Sequence, residues 1–197
     1  MVHYEPYVEF RTDPLRISLA KASGENVFIT IAPGTSFGSD HQTTKLCLRA
    51  IEDIFKTKEF NKVLDIGCGS GILAISTAKL GAKSIVAIDV DPLAIREAVR
   101  NAQINKSISK IRFLHGSIES LNDKFNLIVA NIVTDKLVLM VGDIRKCMEE
   151  NGALVVSGIS ELKKEKLIKS FLEKGLSLRK EFYEGSWVSL VFEQSNL

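Results

Sequence analysis

Residues 63–71 read VLDIGCGSG, and this stretch decides the fold. An apolar run of strand length, from Lys62 to Ile66, passes into a loop with three glycines. A helical pattern then runs from Ile72 to Leu80 and is stopped by Gly81. The same alternation continues downstream. Ser84 to Ile88 reads as a strand, and Pro92 to Ile104 as a helix with proline near its start. Ile111 to His115 and Phe125 to Ala130 read as strands, and Asp135 to Glu149 as a helix ended by Asn151-Gly152. Ala153 to Ser157 is a strand and Leu162 to Glu173 a helix. Leu178 to Tyr183 and Val188 to Phe192 are strands joined at Gly185-Ser186. Strand–helix alternation implies an α/β domain with a mostly parallel sheet covered by helices on both faces. The last two strands imply an antiparallel hairpin at one edge.

Upstream, Met1 to about Thr35 reads as irregular apart from a short strand, Asn26 to Ile31. A helix is expected from His41 to Phe55, with Leu46, Ala50, Ile51 and Ile54 on one face and Asp40 as N-cap. This divides the chain into an N-terminal segment, 1–35, and a domain, 36–197.

The glycine loop indicates what is bound. Gly67 permits a tight turn, and Gly69 and Gly71 let a ligand approach the backbone at a helix N-terminus. A dinucleotide fingerprint, GxGxxG/A, would need Gly or Ala at position 72, where Ile72 stands. Asp65 would repel a pyrophosphate but suits a ligand carrying positive charge, such as the α-ammonium of S-adenosylmethionine. Asp89 ends a strand 20 residues after Gly69, the spacing of an acid that grips ribose hydroxyls. Asp91 could assist, or could cap the helix beginning at Pro92. Cys68 reads as a small member of this donor-binding loop rather than a nucleophile, with no histidine near it in sequence.

After the third strand of this series, Ser117 could hydrogen-bond an adenine and Ile118 could pack on its face. The alternative is a polar loop with a core isoleucine. His115 reads as structural. Asn131 follows an apolar strand and faces the expected methyl position. It could orient the donor, hold the acceptor amine, or serve a turn, and it is the candidate catalytic residue.

These motifs together resemble the PrmA-type ribosomal protein methyltransferases, a family of class I S-adenosylmethionine-dependent enzymes with a Rossmann-like fold. VLDIGCGSGILAIS, IDVDPLAI and VANIV carry the likeness, with PGTSFGSDHQTTKLCL upstream. The resemblance implies a seven-stranded sheet and donor contacts at Thr44, Gly67, Asp89 and Asn131. It also implies that Phe37 and Gly38 cover the donor. Trp187 resembles a tryptophan at that family's acceptor entrance, its alternative being a packed strand residue. Two departures are visible. The stretch from Phe37-Gly38 to His41 is one residue shorter than the family pattern. The segment before the donor domain is also too short for that family's separate substrate-recognition domain.

Methyl transfer to a protein lysine or amine, in a ribosomal protein as the resemblance implies, is the leading expectation. His41 joins Asn131 as a candidate acceptor contact. The alternative is an RNA or small-metabolite acceptor; a non-catalytic scaffold is disfavoured by the intact motif. No Pro-Pro-aromatic follows Asn131, which weighs against enzymes carrying Asn-Pro-Pro-Tyr. The net charge of +2 makes no electrostatic case for strong nucleic-acid binding, so that partner stays open. Three scattered cysteines without a CxxC pair predict neither zinc nor a disulfide framework, and fit a cytoplasmic location. No apolar run reaches 18 residues, so no membrane span is expected. Oligomeric state is not legible.

Overall fold

Val63 and Leu64 diverge onto opposite faces of one strand, and the two-layered core follows from that alternation. The computed structural model describes residues 13–36 and 38–194. In chain order it contains β1 (Leu15–Ala20), β2 (Asn26–Ile31), α1 (Gln42–Phe55), β3 (Lys62–Ile66), α2 (Ile72–Leu80), β4 (Ser84–Asp89) and α3 (Pro92–Ile104). There follow β5 (Ile111–His115), β6 (Phe125–Asn131), α4 (Thr134–Cys147), β7 (Met148–Ser160), α5 (Lys164–Leu172), β8 (Leu176–Glu184) and β9 (Trp187–Gln194).

Seven strands form the main sheet in the order β5-β4-β3-β6-β7-β9-β8. The first five run parallel, and β9 pairs antiparallel with both β7 and β8. The expected mostly parallel sheet with a closing antiparallel hairpin is therefore observed. Val63, Leu127, Val129, Ala153 and Val155 pack in one apolar cluster with residues of α1 and α2. Leu64, Ile66, Ile128, Ala130, Leu154 and Val156 pack in a second with residues of α4 and α5. The strand order reverses between β3 and β6, and a crevice opens there at the carboxyl ends of the strands.

Several local expectations change. Leu15–Ala20 is a strand, paired antiparallel with β2 across a turn near Gly24. Its alternating Leu15, Ile17 and Leu19 supply apolar contacts to the first cluster. The N-cap of α1 is His41 rather than Asp40: the imidazole Nδ1 accepts from Thr43 N at 3.2 Å. Helix α4 ends at Cys147, before Glu149, because Met148 is already extended and pairs with Phe125. Asn151, at φ 61°, then accommodates an irregularity in β7. Helix α5 starts at Lys164, after a turn of 3-10 helix at Glu161–Lys163.

Candidate active site

The glycine loop leaves β3 and is tied at once to its neighbour. Gly67 N and Cys68 N both donate to Ile88 O, at 2.8 and 3.1 Å. Asp89, the last residue of β4, stands beside them. Its Oδ2 accepts from Gly69 N at 2.9 Å and its Oδ1 from Asp91 N at 3.0 Å. Each oxygen retains a lone pair, so the carboxylate can still accept from two hydroxyls. Gly67 (φ 67°) has room for no side chain, because a Cβ would lie 2.8 Å from Ile132 Cγ2. Gly71 (φ 80°) starts α2 and lies against α3, where a Cβ would meet Ala98 Cβ at 2.9 Å.

A cavity of about 470 Å³ opens over this loop, within the range of small-ligand sites. Gly67, Gly69, Asp89, Ser117, Ile118 and Asn131 line it, together with Thr35, Ser36, His41 and Trp187. Six of the residues singled out for the donor thus line one cavity. Others stand behind it. Gly71 and the buried Cys68 do not line the cavity, and burial pushes the Cys68 thiol well above its usual range. Gly38 and Thr44 also lie outside the lining, and Phe37 falls outside the described residues.

Asp65 is fully buried beneath the loop rather than exposed in the cavity. Its Oδ2 accepts from Ala74 N at 2.9 Å, in the first turn of α2, while Oδ1 has no partner among the described residues. Burial pushes its carboxyl up to about 7; the Ala74 amide opposes this and the negative charge of Asp89 adds to it.

The other side of the cavity starts at Asn131, the last residue of β6. Its Nδ2 donates to Thr44 Oγ1 at 2.8 Å, and the Thr44 hydroxyl donates to Gly38 O. The start of α1 is fixed to the sheet by Ser157 Oγ, which donates to Thr43 O at 2.7 Å. His41 and Trp187 meet edge to face, ring centroids 5.5 Å apart. Ser117 Oγ donates to Glu119 Oε2 at 2.5 Å, and Ile118 is buried at the cavity floor. His115 Nε2 lies 3.0 Å from Val90 O, the structural placement expected of it. Asp91 Oδ1 accepts from Leu93 N at 2.8 Å, so the capping role is present, although Asp91 also lines the cavity. Among the described residues no His, Cys, Asp and Glu cluster could hold a metal ion.

Sequence reasoning missed Thr35, Ser36, Ile132, Val133, Lys136, Met140 and Gly158 in the lining. Gly158 follows Ser157, which pairs with Asn131, so the rule that ligands sit at the carboxyl ends of parallel strands points to it. Ile132 and Val133 extend the same β6 exit. Nothing local marks Thr35 and Ser36.

Residues 10–195 match the model of the family described as ribosomal protein L11 methyltransferase (PrmA). The chain belongs to this family. A curated ribosomal protein L11 methyltransferase of Clostridium perfringens is 33% identical over 171 residues, covering 86% of this chain and 54% of the relative. The chain therefore spans about half the length of the curated relatives it matches. The crystal structure of a ribosomal protein L11 methylase from Lactobacillus delbrueckii subsp. bulgaricus superposes with a TM-score of 0.75 at 32% identity, covering 81% of this chain and 82% of that one. A magnesium protoporphyrin IX methyltransferase from Synechocystis, solved with bound SAM, has a TM-score of 0.64 at 18% identity over 78% of this chain and 79% of its own, and shares the fold. The sheet is thus that of the Rossmann-like methyltransferases.

The residues present fit an S-adenosyl donor. Gly67 and Gly69 present backbone without side chains to the cavity, and a Cβ on Gly67 would meet Ile132, which lines the cavity too. Asp89 presents two acceptor oxygens beside it.

Proposed function

We propose that this chain is an S-adenosylmethionine-dependent methyltransferase acting on a lysine or other amine of a protein, of the ribosomal class named for its relatives. The observation that carries this is the placement of Asp89 and Asn131, at the ends of β4 and β6, on one cavity that spans the glycine loop. Asp89 takes the ribose hydroxyls, Gly67 and Gly69 bring the backbone to the donor, and Ser117 and Ile118 flank the adenine. The donor, when bound, supplies a methyl group already activated on a sulfonium centre.

The remaining task for the protein is alignment of an uncharged amine. The Thr44 hydroxyl takes one N–H of Asn131 Nδ2 and so fixes the amide, and Asn131 Oδ1 serves as the acceptor for an incoming N–H. Trp187, Ile132 and Met140 line the same cavity with apolar surface. Burial against them disfavours an ammonium, whose ordinary pKa is near 10.4, so the amine sheds its proton before transfer. A cytoplasmic location goes with this reading and is supported by Cys47, Cys68 and Cys147, which are all buried and unpaired. No described helix is long and apolar enough to cross a membrane.

The test uses radiolabelled S-adenosylmethionine, the purified protein, and an extract depleted of its own methyltransferases. Label in lysines or an N-terminal amine of one protein supports the reading. Label confined to RNA or to small molecules overturns the protein acceptor.

A further inference from the structure

One face of α3 holds the segment that enters the cavity from the β1–β2 hairpin. Glu97, Asn101 and Asn105 are four residues apart and so stand in one row. Asn105 treats Thr30 as a strand neighbour would, with Oδ1 accepting from Thr30 N at 2.9 Å and Nδ2 donating to Thr30 O at 2.7 Å. Asn101 Oδ1 accepts from Ala32 N at 3.0 Å, while its Nδ2 donates to Ser70 O at 2.9 Å in the glycine loop. Glu97 completes the row through Thr35 and Ser36. Its Oε1 accepts from Thr35 N at 2.6 Å and Thr35 Oγ1 at 2.9 Å, and its Oε2 from Ser36 N at 3.1 Å.

A carboxylate that accepts from consecutive backbone amides is an anion in a nest, here supplied by the protein itself. Burial works against the charge on Glu97, but the hydrogen bonds from Ser36 and Thr35 outweigh it and hold the carboxyl below its ordinary range. Gly34 supplies the space. A Cβ there would lie 2.5 Å from Glu97 Oε2 and 2.6 Å from its Cδ, and Gly34 is not among the glycines with positive φ. A side chain at position 34 would thus push the carboxylate, the end of a flexible side chain, from this place, while the backbone there does not call for glycine. Gly34 and Thr35 are exposed and contribute nothing to either apolar cluster, yet Thr35 and Ser36 line the cavity.

We propose that Glu97 is a positioning residue for the methyl donor, its carboxylate fixing residues 34–36 as a wall of the cavity before the donor arrives. The proposal rests on the reading of this cavity as the donor site. Without the carboxylate, the segment is ordered only when the donor binds, and that ordering is subtracted from affinity.

The experiment compares wild type, Glu97→Ala, Glu97→Gln, Gly34→Ala and the Gly34→Ala/Glu97→Ala double variant. Calorimetry with S-adenosylmethionine and S-adenosylhomocysteine gives affinity. Hydrogen exchange of peptides spanning 33–36 reports the loop, and urea midpoints report the fold. Glu97→Ala is expected to weaken both ligands by about tenfold or more, from the loss of bonds to a charged acceptor. Glu97→Gln loses less, because its remaining oxygen still serves Thr35. Gly34→Ala displaces the carboxylate and produces a similar weakening, and the double variant is no weaker than Glu97→Ala alone. Faster exchange is confined to 33–36. Affinity within twofold of wild type in Glu97→Ala, additive effects of the two substitutions, or faster exchange throughout the sheet would overturn the proposal. If wild type itself binds neither ligand, the donor-site reading fails first; if it binds both and Glu97→Ala matches it, only the role of Glu97 fails.

Discussion

Replacing Asp65 by Asn is predicted to remove a pH dependence from the stability of the fold. The carboxyl is fully buried, and burial raises its pKa from an ordinary 3.8 to about 7. A carboxyl raised in the folded state favours folding below its unfolded pKa. That contribution is lost as pH climbs through the folded value. The shift is about three pH units at about 1.4 kcal/mol each, so the loss between roughly pH 4 and pH 8 is about 4 kcal/mol. Asn keeps the shape and one acceptor for Ala74 N–H, which Asp65 Oδ2 now engages at 2.9 Å. Its NH2 replaces an oxygen that already lacks a partner. That amide costs about 1–3 kcal/mol, but equally at every pH. Glu97, Asp135 and Glu181 are held low and run the opposite way with pH, but they are present in both proteins and cancel in the difference. Urea unfolding at half-unit steps from pH 4 to 8 should show Asp65→Asn gaining on wild type as pH rises. Parallel curves, agreeing within about 1 kcal/mol over the whole range, would refute the burial argument.

Two further substitutions probe the loop and the site. Gly71→Ala combines a left-handed φ of 80° with a Cβ 2.9 Å from Ala98 Cβ and 3.1 Å from its Cα. Strain of about 1–2 kcal/mol and overpacking of about 1–3 kcal/mol should lower the unfolding free energy by about 3 kcal/mol, and a urea curve that overlays wild type would be incompatible with that packing. Asp89→Asn sets an amide NH2 against either Gly69 N–H or Asp91 N–H and removes one acceptor, so S-adenosylhomocysteine binding measured by calorimetry should weaken about 30-fold or more. Unchanged affinity would remove Asp89 from the ribose.

The region from β3 to α3 was legible because its signals are local. Apolar runs of strand length, glycines at the turn, and Pro92 behind a capping Asp91 each act within a few residues. Asp89 was legible for the same reason, as the last residue of a strand. Pairing across the chain explains most of the misses. Met148 leaves a helical pattern because Phe125 offers it a sheet partner. Leu15–Ala20 becomes a strand only when β2 pairs with it and the hairpin closes on the first apolar cluster. Thr35 and Ser36 enter the cavity wall through a carboxylate 62 and 61 residues away. Asp65 is the instructive case. Its residue type marked it as special, but its position is set by strand parity. It shares a face with Val63, under α2, and so meets Ala74 rather than the cavity.

On the proposed reading the cavity has two halves built by different means, and the difference explains why the donor can be read and the acceptor cannot. The donor half consists of strand ends, backbone amides and a glycine loop cross-tied by Ile88, Asp89 and Asn101. Such a site is specified by backbone conformation, which leaves marks in sequence as glycines and a spaced acid. The acceptor half consists of side chains from the β6 exit, α4 and β9: Ile132, Val133, Lys136, Met140 and Trp187. Val133 is 58% exposed, so its side chain can change without disturbing the core or the sheet register. Lys136 is exposed as well, whereas Ile132 and Met140 pack against the second apolar cluster, so this half joins freely variable side chains to ones the core restrains. Asn131 belongs to both halves. Its position at the end of β6 is fixed by the sheet, and its amide is oriented by Thr44 from α1. If the cavity takes the proposed amine, that amine meets an amide held from two sides, by β6 and by α1, whatever the surrounding side chains select.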